Sequence, residues 1–170
     1  MGVFIVVLGV LFMMSKAIAK PNTEAGDLES IYQDIAHRFG DDWRLAKVFA
    51  MKESSENPNA ENPRDPSYGL FGIQSLWLVH FRFLDNDDPE LESKAKELLK
   101  NPRIATEMFF RILAYFRGRT NPQTLQNFRF PAEADIYNVG ETLWSQGIRN
   151  VAYRDFINRE YREITQAVDA

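Results

Sequence analysis

An all-α domain is predicted by three features of this sequence. Apolar residues recur at helical spacing in one segment after another, the segments are punctuated by helix caps and by Gly or Pro, and no alternating run of useful strand length stands between them. From Asp27, a helix N-cap, the residues Leu28, Ile31, Tyr32, Ile35, Ala36 and Phe39 form one stripe that Gly40 closes. Asp41 and Asp42 offer the next N-cap, for a helix from Trp43 to Lys52 that is apolar almost all round and therefore central. It delivers Glu53 at its C-terminal end, directly before the polar stretch SSENPNAENPRDPS, whose three prolines forbid continuous helix. An aromatic-rich third helix is expected from Tyr68 to Leu84, a charged amphipathic fourth from Pro89 to Lys100, and a fifth opened by Asn101-Pro102 that ends at Arg117. A short helix follows from Pro131 to Tyr137, and a last one from Asn150 to Ala167.

Two regions are expected, residues 1–19 and residues 24–170. The run Val3 to Met14 holds about a dozen uncharged residues and is followed by Ala17-Ile18-Ala19, the size and ending of a signal peptide rather than of a membrane span. The first region is therefore a cleaved export signal or a retained membrane anchor. Either places the rest of the chain in the periplasm or at the outer face of the inner membrane, with membrane contact through residues 1–19. The remainder is long enough to close a core without staples, and with no Cys at all it has no disulfide, thiol nucleophile or Cys-ligated metal.

Composition excludes several functions. A net charge of −4, from 20 Lys and Arg against 24 Asp and Glu, speaks against nucleic acid as a partner. Neither His37 nor His80 has a second His at ligand spacing, so no metal site is expected, and no Gly-rich phosphate loop is present. Arg149, Arg154, Arg159 and Arg162 read as a solvated helix face paired with Asp155, Glu160 and Glu163. Glu53 stands apart. A carboxyl held against apolar groups has its neutral form favoured, which suits it to donate a proton near neutral pH.

The residues around Glu53 carry a resemblance. Glu53-Ser54-Ser55-Glu56-Asn57-Pro58-Asn59-Ala60 resembles the E-S-x-F-N-P-x-A signature of the soluble lytic transglycosylases, with Glu56 where that family prefers an aromatic. Ser67-Tyr68-Gly69-Leu70-Phe71-Gly72-Ile73-Gln74 is similar to the family's G-x-x-G-L-M-Q segment in an altered register, and Ile136-Tyr137-Asn138-Val139-Gly140 to its A-Y-N-x-G. The three motifs stand in the family's order across roughly residues 30–160.

The resemblance, which extends to goose-type lysozyme, implies a lysozyme-like fold of six or seven helices around a substrate groove. It implies cleavage of peptidoglycan glycan strands between N-acetylmuramic acid and N-acetylglucosamine, with formation of a 1,6-anhydro sugar and without cofactor or metal. Carried over by position, Glu53 is the single catalytic acid and base. Ser54, Ser67, Gln74, Tyr137 and Asn138 are the substrate-side residues, with Gly69 to Gly72 lining the groove and Asn138 fixing the turn that presents Tyr137. Two rivals stay open. A hydrolytic muramidase needs a second acid to position water, for which Asp65 and Glu61 are the nearby choices, and a non-catalytic module would only bind glycan or an assembly. A secretion or virion machine is a further expected partner for any of the three.

Overall fold

The computed structural model describes residues 27–121 and 126–168, so the hydrophobic segment at residues 1–19 lies outside the described residues. Among those described, no helix is long and apolar enough to cross a membrane. Seven helices dominate: α1 (Leu28–Phe39), α2 (Trp43–Ser54), α3 (Ser75–His80), α4 (Leu91–Leu99), α5 (Pro102–Arg117), α6 (Ala132–Ser145) and α7 (Val151–Val168). The helices expected from the periodicity are thus present, but the all-α expectation is corrected to a mostly helical domain with small sheets. Strands β1 (Glu61–Asn62), β2 (Ser67–Tyr68) and β3 (Ile73–Gln74) form an antiparallel three-stranded sheet in sequence order, and β4 (Thr120–Asn121) pairs with β5 (Gln126–Asn127).

The helix ends are set by the residues that the sequence marks for them. Asp42 accepts from Arg44 N at the start of α2, and Asn101 accepts from Arg103 N and Ile104 N at the start of α5, whose first residue is Pro102. Gly40 closes α1 in the left-handed conformation.

Helix α5 is the centre of the packing. It buries Ala105, Thr106, Met108, Phe109, Phe110, Ile112, Leu113 and Phe116, and it packs against α1, α6 and α4. Phe109 stacks on Phe71 at 4.5 Å and lies against Phe49 of α2 at 5.0 Å, so one aromatic cluster joins α2, α5 and the segment before β3. Each such buried ring contributes about 1.5–3 kcal/mol through removal of apolar surface from water. A polar lock accompanies it. Glu133, fully buried, is bridged by the Arg117 guanidinium at 2.7 and 2.8 Å, and the same guanidinium also binds Asp41, which ties α5 to α6 and to the α1–α2 turn.

Other expectations change in detail. The helix predicted from Tyr68 to Leu84 is confined to Ser75–His80, because residues 67–74 form β2, β3 and the loop between them. Gly69 and Gly72, at φ of 74° and 57°, turn the chain through the left-handed region, which a right-handed helix cannot contain. At Gly69 the requirement is also steric, since a Cβ there would sit 2.1 Å from the carbonyl oxygen of Leu99. The short helix predicted at Pro131 to Tyr137 is present as the first part of α6, which breaks at Gly140 (φ 75°, ψ 160°), and a second helical stretch that was not expected follows the break to Ser145. The C-terminal arginines are likewise not all solvated: Arg154 reaches back to the buried Asp135 at 3.1 Å, and Arg149 lies over the Trp144 ring at 3.8 Å.

Candidate active site

Helix α2 is anchored by buried Leu45, Ala46, Val48, Phe49 and Ala50, and it carries Glu53 and Ser54 in its last turn. The chain leaves it through two consecutive non-glycine residues in the left-handed region, Ser55 (φ 56°) and Glu56 (φ 60°). Such positions are costly and persist where the surroundings hold them. Here Ser55 N and Glu56 N donate to Met51 O and Ala50 O, and Asn57 N donates to Ser54 Oγ at 3.1 Å. Glu56, which replaces the aromatic of the resembled motif, accepts a long hydrogen bond of 3.4 Å from the buried Tyr32 hydroxyl.

The Glu53 carboxyl meets a residue that the sequence did not single out. Tyr153, 4% exposed, donates from its hydroxyl to Glu53 Oε1 at 2.5 Å. It sits in the first turn of α7, where its backbone N–H donates to Asn150 Oδ1 at 3.1 Å, so Asn150 is the cap that sets the start of the helix. Asn150 Nδ2 in turn donates to Asn138 Oδ1 at 2.8 Å. Asn138 is exposed and lies with Tyr137 inside α6 rather than in the expected turn, and hydrogen bonds link it to Glu53 by way of Asn150 and Tyr153.

The second wall is the loop before β3. A Cβ placed on Gly72 would lie 3.2 Å from Glu53 Oε2 and 3.8 Å from Ser67 Oγ, so both side chains border the space that the glycine leaves open. The one Ser54 O–H lies within reach of Leu70 O at 2.9 Å and of Ala50 O at 3.1 Å, and its donation to the nearer Leu70 O pins this loop to α2. Tyr137 pins it from α6: its hydroxyl donates to Phe71 O at 2.9 Å, while its ring packs edge-on against Phe49 at 5.1 Å.

The three-stranded sheet sorts the remaining polar residues onto two faces. Residues directly opposite in antiparallel strands share a face. Ser67 pairs with Asn62 and Gln74, whereas Tyr68 pairs with Glu61 and Ile73. The Tyr68 face lies on α4: Tyr68 donates to Glu92 at 3.0 Å, and Glu61 is bound by Lys96 at 2.8 Å and Lys100 at 3.0 Å. Glu61 therefore points away from Glu53, with its pKa lowered by the two lysines. Gln74 shares the face of Ser67 and donates from Nε2 to Asp65 Oδ1 at 2.7 Å.

Electrostatics favour a proton on Glu53. Burial raises its pKa above the ordinary carboxylate value, opposed by the hydrogen bond from Tyr153 and by the charge of Lys52. Tyr153 and Tyr137 are both driven well above the ordinary phenol value, first by burial and then by the Glu53 charge, so both remain O–H donors. Among the described residues, no carboxylate hydrogen-bonds to Glu53, and no group of three or more His, Asp or Glu is arranged to hold a metal ion.

Of the residues predicted from sequence, Glu53, Ser67 and Tyr137 converge, Ser54 underpins them, Gln74 lies farther along the Ser67 face, and Asn138 is linked to Glu53 only through Asn150 and Tyr153. Tyr153 was missed because its spacing to Phe156, Ile157 and Tyr161 is that of an ordinary core stripe. Its only distinguishing sign is a polar tip on a buried ring, which needs a partner. No family model matches the chain, and it matches no curated protein and no solved structure.

Proposed function

We propose that this chain is a lytic transglycosylase with a lysozyme-like arrangement, acting on the β-1,4 bond between N-acetylmuramic acid and N-acetylglucosamine in peptidoglycan. The observation that carries the reading is a desolvated carboxyl, Glu53, which among the described residues is hydrogen-bonded by one phenol donor, beside a space kept open by Gly72. The three sequence motifs that resemble that family all contribute side chains or backbone to this one place, which supports it further.

The chemistry follows from the two protonation states of Glu53. Protonated, it donates to the glycosidic oxygen as the bond from that oxygen to C1 breaks. The Tyr153 hydroxyl is already aimed at Oε1 and stabilises the carboxylate as the proton leaves. The substrate's acetamido group supports the cationic C1 centre. The carboxylate then takes the proton of the muramyl 6-hydroxyl while that oxygen bonds to C1, which restores the acid, consumes no water and closes the anhydro ring. A two-carboxylate hydrolase would place a second acid about 5–9 Å from the first. Glu61 is turned to α4 and bound by two lysines, which weighs against it in that role. In this reading, residues 1–19 export or anchor the chain, and a secretion or virion machine would direct it to the wall.

The test is mass spectrometry of soluble products released from purified peptidoglycan. Anhydro-muropeptides, lighter by one water than reducing ones, are expected from the native chain, and Glu53→Gln should lower their release about a thousandfold. Release of reducing sugars would identify a hydrolase. A folded protein that binds the glycan and releases nothing would identify a binding module.

A further inference from the structure

Asp65 lies in the turn between β1 and β2, on the Ser67 face of the sheet, where it accepts from Gln74 Nε2 at 2.7 Å. A carboxylate offers only acceptors, so the end of the Gln74 amide that meets it must be the NH2 group, and the carbonyl oxygen Oε1 is turned the other way. No other hydrogen bond engages the Gln74 side chain among the described residues. Gln74 stands directly opposite Ser67, and Ser67 Oγ and Glu53 Oε2 border the same space at Gly72. Glu53, Ser67, Gln74 and Asp65 thus follow one another along a single face.

We infer that Asp65 is a positioning residue for this site. It locks the Gln74 amide so that Oε1 faces the substrate as a hydrogen-bond acceptor, and this end of the site selects a sugar that presents a donor, either a hydroxyl or an acetamido N–H. The inference rests on the glycan reading above. Without Asp65 the amide is free to turn over and offer N–H or C=O alternately, which removes the selection. Ordering one such side chain is worth about a three- to tenfold change in affinity.

The test uses the full chain with the tetramer of N-acetylglucosamine and with the tetramer of glucose. Calorimetry gives Kd for each, and turnover of peptidoglycan gives KM and kcat. Asp65→Ala is expected to weaken binding of the N-acetylglucosamine tetramer and to raise KM by about three- to tenfold, with kcat within about twofold. The exchange Asp65→Asn with Gln74→Glu lets an amide at position 65 donate to a carboxylate at position 74, whose second oxygen again faces outward as an acceptor. It should recover binding, whereas Gln74→Glu alone sets two carboxylates together and should not. Loss confined to the N-acetylated tetramer supports the acetamido N–H as the donor, and equal loss for both supports a hydroxyl.

Unchanged Kd and KM in Asp65→Ala, with the native chain active, would overturn the role of Asp65 alone. So would parallel losses of kcat and thermal stability that the exchange does not repair. A native chain that neither binds the tetramers nor releases muropeptides would overturn the glycan reading, and this inference with it.

Discussion

Tyr153 and Glu53, 100 residues apart in the chain, meet in a hydrogen bond of 2.5 Å from the phenol to Oε1. The bond opposes the effect of burial on Glu53: burial raises its pKa, and the Tyr153 donor lowers it. Tyr153→Phe keeps the burial and removes the donor. Glu53 should then hold its proton to higher pH, and the basic limb of the pH–rate profile should move upward. A hydrogen bond to a charged acceptor is worth about 1.5–3 kcal/mol, so the rate at the optimum should fall about ten- to a hundredfold. A basic limb that stays in place or moves down would contradict the assignment of Glu53 as the acid.

The raised pKa of Glu53 also predicts a stability effect. The folded state binds this proton more tightly than the unfolded state, so stability attributable to Glu53 is greatest below the unfolded carboxylate value and declines as pH rises through the folded value. Glu53→Gln, which cannot ionise, should therefore melt at a higher temperature than the native chain at pH 7. The difference should shrink as the pH is lowered to about 4, where the native carboxyl is itself largely neutral. Melting curves across that range provide the measurement.

Gly72 has two duties that one substitution exposes. At φ 57°, Gly72→Ala is expected to cost roughly 1–2 kcal/mol in urea unfolding for the left-handed backbone. The added methyl would also stand 3.2 Å from Glu53 Oε2, in the space assigned to the reacting glycan. Activity should accordingly fall more than the stability loss explains, with a well-folded protein remaining. Full activity in a destabilised Gly72→Ala protein would show that this space is not where chemistry takes place.

Glu61 and Glu53 are both carboxylates of the same local region, yet their surroundings are opposite. Glu61 is exposed and paired with Lys96 and Lys100 on the far face of the sheet. Glu61→Gln should keep turnover of peptidoglycan within about twofold, since exposed ion pairs contribute little and this one faces away from the site. A loss comparable to that of Glu53→Gln would instead make Glu61 the second acid of a hydrolase.

The sequence showed what is periodic or local. The stripes of α1 and α5, the caps Asp42 and Asn101, and Glu53 at the end of an apolar helix were all legible, because helical spacing and cap chemistry act within a few residues. The sheet was not, since its two-residue strands are too short to show alternation and their turns depend on Gly69 meeting the Leu99 carbonyl, a contact across 30 positions. Glu53, Ser67 and Tyr137 could be placed through the resembled motifs. Tyr153 could not, as a buried aromatic on a stripe looks the same whether its hydroxyl meets a carboxyl or a backbone oxygen. The link from Asn138 to the site was hidden for a related reason: its partner, Asn150, caps the next helix.

Digestion of purified peptidoglycan in water enriched in heavy oxygen distinguishes closure of an anhydro ring by one carboxyl from attack by water. Ring closure by Glu53 gives unlabelled anhydro-muropeptides as the first products from the native chain and none from Glu53→Gln. Heavy oxygen at C1 of a reducing muramic acid in the first products would contradict it.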